Sequence, residues 1–343
     1  MGNSAKTPTS NESTPASLSI STPADSKVTS SASLKESAEP TSIPNVVKQQ
    51  CGSYEDNPGT YEDLFRVFKE LTPMCFDGAK LVVNRSLSSH FQLNHNLTMG
   101  STSAMKFGAS FIGTNQYQAN EIFPVMVGEM SLNGDMNGNV IYQWNEHLRT
   151  KMMLQMEKNA IAGLQLTADY RTKLSTSSIH CVNVDLLRNQ GLIILQYLQS
   201  VSKHISLGAE YFYQRGQQIP SGHIGMTSIA ARYSALDYSL CASMNPSGLL
   251  RLGYHHHKPK SPLQFGVELE SNLSTLESVA TCSYQAELAK ANCTFKAFAD
   301  SNWNVGATME KRLHPMPFTF LLSGVVNNVK QAYKFGIGFV IGS

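Results

Sequence analysis

Leu263-Gln264-Phe265-Gly266-Val267-Glu268-Leu269-Glu270 is the stretch on which the fold turns. Every second residue is apolar, and the residues between are polar or glycine. Successive side chains of a strand point to opposite faces, so this stretch has one greasy face and one wet face. The same period runs through much of the chain. Phe91, Leu93, Leu97 and Met99 alternate with Gln92, Asn94, Asn96 and Thr98. Leu164, Leu166, Ala168 and Tyr170 alternate with Gln165, Thr167, Asp169 and Arg171. Trp303, Val305, Ala307 and Met309 alternate with Asn304, Gly306, Thr308 and Glu310, and Phe335, Ile337, Phe339 and Ile341 close the chain in the same manner. Turn signals separate the segments, among them Asn133-Gly134-Asp135, Arg215-Gly216, Asn245-Pro246-Ser247-Gly248 and Lys258-Pro259-Lys260.

Counting weaker segments such as Phe123–Val127, the sequence predicts about 18 or 19 strands from Gly78 onward. Each strand with its turn then takes about 14 residues, which fits strands of about 9–11 residues crossing a bilayer at barrel tilt. That is too many strands for one ordinary sandwich of this length. Aromatic residues fall near segment ends: Phe91, Trp144, Tyr170, Tyr197, Tyr211, Tyr213, Tyr233, Tyr254, Tyr284 and Trp303. Interfacial girdles of membrane barrels place aromatic rings there. An unpaired amide is costly in hydrocarbon, so such a sheet must close. The expectation is an all-β transmembrane barrel. A mean hydropathy of -0.19 does not oppose it, because alternation cancels in an average. The longest apolar runs, Gly191–Leu198 and Phe318–Val326, are too short for a spanning helix.

Ahead of the barrel the reading changes twice. Residues 1 to 57 are rich in Ser, Thr, Pro and Ala, a composition expected to stay disordered. Residues 58–77 read as an amphipathic helical segment. Thr60 and Asp63 have the spacing of a capping box, and Tyr61, Leu64, Phe65, Phe68 and Leu71 make one apolar face before Pro73 stops the helix. Residues 78–343 are the barrel.

Composition excludes several functions. The 343 residues carry a formal net charge of +2 and only 15% charged residues, so no basic stripe for nucleic acid is expected. The six cysteines include no C-x-x-C pair. His255-His256-His257 alternates faces and has no flanking carboxylate at ligand spacing, so no metal is expected. No P-loop, nucleophile elbow or triad spacing is present, and neither enzymatic activity nor a cofactor is expected.

The last strand is more specific. Lys334-Phe335-Gly336-Ile337-Gly338-Phe339-Val340-Ile341 resembles the assembly signal of mitochondrial outer-membrane barrels, with Lys334, Gly336, Phe339 and Ile341 at its defining positions. Longer blocks extend the likeness: Asn84–His95, Phe123–Gly128, Arg149–Met152, Gln196–Ser200 and Asp300–Thr308. Over about residues 58 to 342 the chain resembles the family of central channel subunits of the translocase of the outer mitochondrial membrane. The resemblance implies 19 strands, a helix inside the pore, and both termini in the intermembrane space. It also implies a protein-conducting channel for presequence-bearing and other unfolded precursors. Implied partners are small translocase subunits, receptor subunits, a second copy of the barrel, and the sorting and assembly machinery. The alternative within the same architecture is a metabolite porin of the voltage-dependent anion channel type. Phe65, Val67 and Phe68 are more apolar than the family's pore helix, and Leu174–Ser178 and His255–His257 are atypical, departures of the kind a divergent paralogue shows.

If apolar positions face lipid, the alternate set faces the lumen. It includes Glu157, Asp169, Glu210, Glu268, Glu270 and Glu310, the carboxylates expected to attract a basic presequence. It also includes Lys151, Arg171, Arg232, Arg251, Lys296 and Lys334.

Overall fold

The computed structural model describes residues 57–342 apart from 102, 119–120, 159, 186–189, 217–221 and 259–260. The disorder expected of the N-terminal segment lies outside the described residues. Nineteen strands follow in order: β1 Gly78–Ser86, β2 Phe91–Met99, β3 Ala104–Gln118, β4 Glu121–Ser131, β5 Met136–Gln143, β6 Leu148–Glu157, β7 Ala160–Arg171, β8 Ser175–Asp185, β9 Gln190–Ser200, β10 Ile205–Arg215, β11 His223–Ser234, β12 Tyr238–Met244, β13 Leu249–His257, β14 Leu263–Asn272, β15 Glu277–Leu288, β16 Cys293–Asp300, β17 Asn304–Leu313, β18 Phe318–Asn327 and β19 Ala332–Ile341. The faint Phe123–Val127 segment is the middle of β4.

Each strand pairs antiparallel with the next, and β19 closes on β1 in parallel, from Gly78↔Gly336 to Val83↔Ile341. The parallel seam is a matter of counting. Alternating directions around an odd number of strands leave the first and last running the same way. Closure gives every strand two neighbours, so no sheet edge is left in hydrocarbon.

Cross-strand register sorts the side chains into two faces. Gln264, Gly266, Glu268 and Glu270 share a face with His257, His255, Gly253 and Arg251 across β13, and with Gln285, Ser283, Thr281 and Val279 across β15. The opposite face carries half-exposed apolar side chains around the barrel, among them Leu195, Tyr211, Leu240, Phe265, Ile337 and Phe339. The residues before β1 pack on the first face: Leu64 is buried there in a cluster with Leu198 and Cys241, and Phe68 and Leu71 are buried against Gly253 and Gly266. That polar, covered face is the lumen, and the apolar face meets lipid.

The expected helix over Tyr61–Leu71 is not continuous. A 3-10 turn spans Tyr61–Leu64, and helix α1 spans Arg66–Leu71. They meet at Phe65, whose φ of -107° and ψ of 3° are not helical. The wall competes for the junction. The Cys241 thiol donates to the Leu64 carbonyl over 3.2 Å, and Phe65 turns its ring to the Arg251 guanidinium.

Candidate functional site: the lumenal wall and its pore segment

The chain from Asn57 to Phe76 is stitched to the inner wall from the end of β7 round to β18. Asn57 donates to the Thr172 carbonyl (2.5 Å) and accepts from the Thr176 hydroxyl (3.1 Å). Arg232 donates to the Pro58 carbonyl. Farther along, Thr72 shares a hydrogen bond with Ser283 (2.7 Å), Lys296 Nζ donates to the Glu70 carbonyl at the end of α1 (2.8 Å), and the Phe76 amide donates to Ser323 Oγ (2.9 Å). Lys296 thereby satisfies a helix-terminal carbonyl and places a cation at the negative end of the helix.

The apolar face of this segment lies on a floor made for it. A β-carbon on Gly253 would sit 2.5 Å from Phe68 Cζ, and one on Gly266 would sit 2.9 Å from Leu71 Cδ1. Gly253 therefore opens the space that the Phe68 ring fills, and Gly266 the space that Leu71 fills. Leu198 beneath the first turn is fully buried, at 0% exposure.

The first turn holds itself by charge. The Asp63 carboxylate accepts from both the Thr60 amide (2.9 Å) and the Thr60 hydroxyl (2.8 Å), and Arg66 lies 2.8 Å away. Burial alone would raise the Asp63 pKa. The Thr60 bonds and the Arg66 charge outweigh it and hold the carboxyl below its ordinary value. Beside it, burial and then the Glu210 charge push the Tyr61 phenol up to about 12.

All six carboxylates named from the sequence stand on the lumenal face, but they do not form one cluster. Glu157 and Glu310 are exposed, near opposite rims. Asp169 is buried to 4% and paired with Arg149 at 3.1 Å. Glu210 accepts from Gln196 Nε2 at 2.7 Å, Gln196 Oε1 accepts from His180 Nε2 at 3.0 Å, and His180 Nδ1 meets the Thr167 hydroxyl at 3.0 Å. Glu268 and Glu270 both pair with Arg251. His180, buried to 3%, was not singled out by the sequence. It lies in Ser175–Asp185, where both faces are largely polar and alternation gives no warning.

The assembly-signal residues divide by face. Lys334 and Gly336 point into the lumen, while Phe339 and Ile341 point to lipid, Phe339 packing on Phe320 with ring centroids 5.2 Å apart. His255 and His257 stack on the lumenal side at 6.2 Å, and His256 faces out beside Tyr254. Among the described residues no group of three or more His, Cys, Asp or Glu side chains could hold a metal ion.

The wall formed by β3 to β6 carries a different lining. Ile112, Val125 and Ile141 lie side by side across three strands, and Val127, Asn139 and Met153 form the next row.

Residues 57–336 match the family model described as eukaryotic porin. The chain is a eukaryotic porin. Within that family, this porin is 41% identical over 290 residues to the mitochondrial import receptor subunit TOM40 homolog of Caenorhabditis elegans, covering 84% of this chain and 95% of that one. It is 39% identical over 288 residues to TOM40 homolog 2 of Drosophila melanogaster, covering 83% and 84%. The human TOM40 homolog is 36% identical over 288 residues, covering 83% and 78%.

Proposed function

We propose that this porin is the protein-conducting channel of an import translocase in the mitochondrial outer membrane, passing unfolded precursor chains through its lumen. One observation carries the reading. A chain whose relatives are named import receptor subunits closes a 19-stranded barrel around a polar lumen with exposed carboxylates at both rims. A presequence is basic and amphipathic, so the lumenal carboxylates attract it: Glu157 and Glu310 exposed at the rims and Glu210 between them, with Asp169, Glu268 and Glu270 adding what their arginine partners leave. Each contact stays weak, because cargo must leave. The Ile112–Val125–Ile141 patch gives apolar segments of other precursors a sliding surface. Small subunits, receptor subunits and a second barrel associate with the lipid-facing wall, and the sorting machinery reads Lys334, Gly336, Phe339 and Ile341 during insertion by strand addition.

The test is reconstitution of the full chain in a planar bilayer. The expected result is a cation-preferring pore that a basic amphipathic peptide blocks in a voltage-dependent manner. Anion preference with no peptide block would replace this reading with a metabolite porin of the voltage-dependent anion channel type.

A further inference from the structure

Glu268 and Glu270 carry the densest negative charge on the β14 wall, yet neither stands alone. Arg251, on the neighbouring strand, hydrogen-bonds Glu268 and lies 3.1 Å from Glu270 Oε1. Its guanidinium carbon lies over the Phe65 ring, 4.4 Å from the centroid. We infer that Arg251 is a specificity-determining residue of the channel: it neutralises the β14 carboxylates at rest, and Phe65 of the pore segment positions it there.

The geometry suits arginine alone. A guanidinium is planar, so its edge can bind carboxylates while its face stacks on an aromatic ring. A lysine ammonium is a compact point charge with no flat face to stack, so it meets the two partners less well. With Arg251 in place the trio carries one net negative charge, and without it two. The wall's attraction for a cation therefore depends on where Arg251 is held, and that depends on the seating of Phe65. Cargo that displaced the pore segment would loosen Arg251 and uncover the carboxylates behind it. This rests on the import reading only for the identity of the cargo.

The experiment uses the full chain in planar bilayers. Two quantities are read: the reversal potential across a KCl gradient, and the dwell time of a basic amphipathic peptide in the pore. R251Q is expected to raise the K⁺ over Cl⁻ permeability ratio by about threefold, since a focused field changes local ion concentration steeply. Lys106→Gln removes the same lumenal charge from β3 and is expected to do much less. Adding E268Q and E270Q to R251Q takes the trio from two net negative charges to none and should drop the ratio below wild type; that drop should exceed the one E268Q and E270Q cause with Arg251 in place, whereas independent charges would make the two drops equal. R251K, which keeps the charge without the planar fork, and F65L, which keeps an apolar side chain without the ring, should move the ratio in the same direction by less. Should R251Q match Lys106→Gln, or should the combined variants prove additive, the inference is overturned. A shifted reversal potential with unchanged peptide dwell supports Arg251 as the charge setter and counts against the import cargo instead.

Discussion

Two stretches of the inner wall differ in what they face. From β8 to β16 the wall is a docking floor: glycines at 253 and 266 open room for Phe68 and Leu71, and Leu198, Cys241, Ser283 and Lys296 each touch the pore segment. From β3 to β6 the wall is a lining, with Ile112, Val125 and Ile141 side by side on the lumenal face and Met153 in the next row. Apart from β8, both read alike in sequence, as strands with one apolar and one mixed face. They part on whether the apolar lumenal side chains lie under the pore segment or line the lumen beyond it. A floor earns stability from burial, so its substitutions should show in the seating of the segment. A lining should show its substitutions in passage.

The largest effect expected is on the floor. Phe68 is exposed to only 3%, and truncating such a ring in a packed site costs about 3–5 kcal/mol. Phe68→Ala should raise hydrogen exchange across residues 60–72 by two orders of magnitude or more while the barrel amides stay protected. Gly253→Leu attacks the same contact from the other side and should give the same exchange pattern. Protection unchanged in both would mean that burial of Phe68 does not seat the segment. Leu198→Ala comes next, at about 2–4 kcal/mol, with exchange rising first at the Tyr61–Leu64 turn above it.

Legibility in the sequence follows the same division. The alternation in Leu263–Glu270 and Trp303–Glu310 reveals strands and faces because one face must satisfy lipid. The lumenal address of all six carboxylates follows from parity alone. What each carboxylate touches does not follow, because pairing depends on register between strands. Arg149 meets Asp169 only because β6 and β7 align those two residues, 20 positions apart. His180 was hidden for a second reason: β8 reads Ser-Thr-Ser-Ser-Ile-His-Cys-Val-Asn-Val-Asp, with polar residues on both faces. The break at Phe65 was hidden as well, since apolar periodicity predicts a helix but not a wall that draws Phe65 and the Leu64 carbonyl out of it.

A smaller effect tests charge at the first turn. The Asp63 carboxyl is held below its ordinary value, so its ionised form stabilises the folded turn. That contribution is complete above the ordinary carboxylate range and fades as pH falls through the lowered folded value. Exchange at residues 60–64 should therefore rise on acidification below about pH 4, the ordinary carboxylate value. Asp63→Asn should lose about 1 kcal/mol of this cap at neutral pH and flatten the acid response. An acid response that persists in Asp63→Asn would assign it to another group.

The smallest expected change lies on the lining and makes the sharpest test of the contrast. Ile141 sits between Val125 and Lys151 on the lumenal face and is only half-buried. Replacing it with Ala removes apolar surface that water already reaches, so stability should fall by less than about 1 kcal/mol. Protection of residues 60–72 should not change at all. The dwell time of an apolar peptide in the pore should shorten, because the removed side chain is part of the surface along which it slides. A basic peptide of equal length should be affected less, since its attraction comes from the carboxylates. If Ile141→Ala instead loosens the pore segment as Phe68→Ala does, the two walls are one packed unit and the distinction between floor and lining is lost.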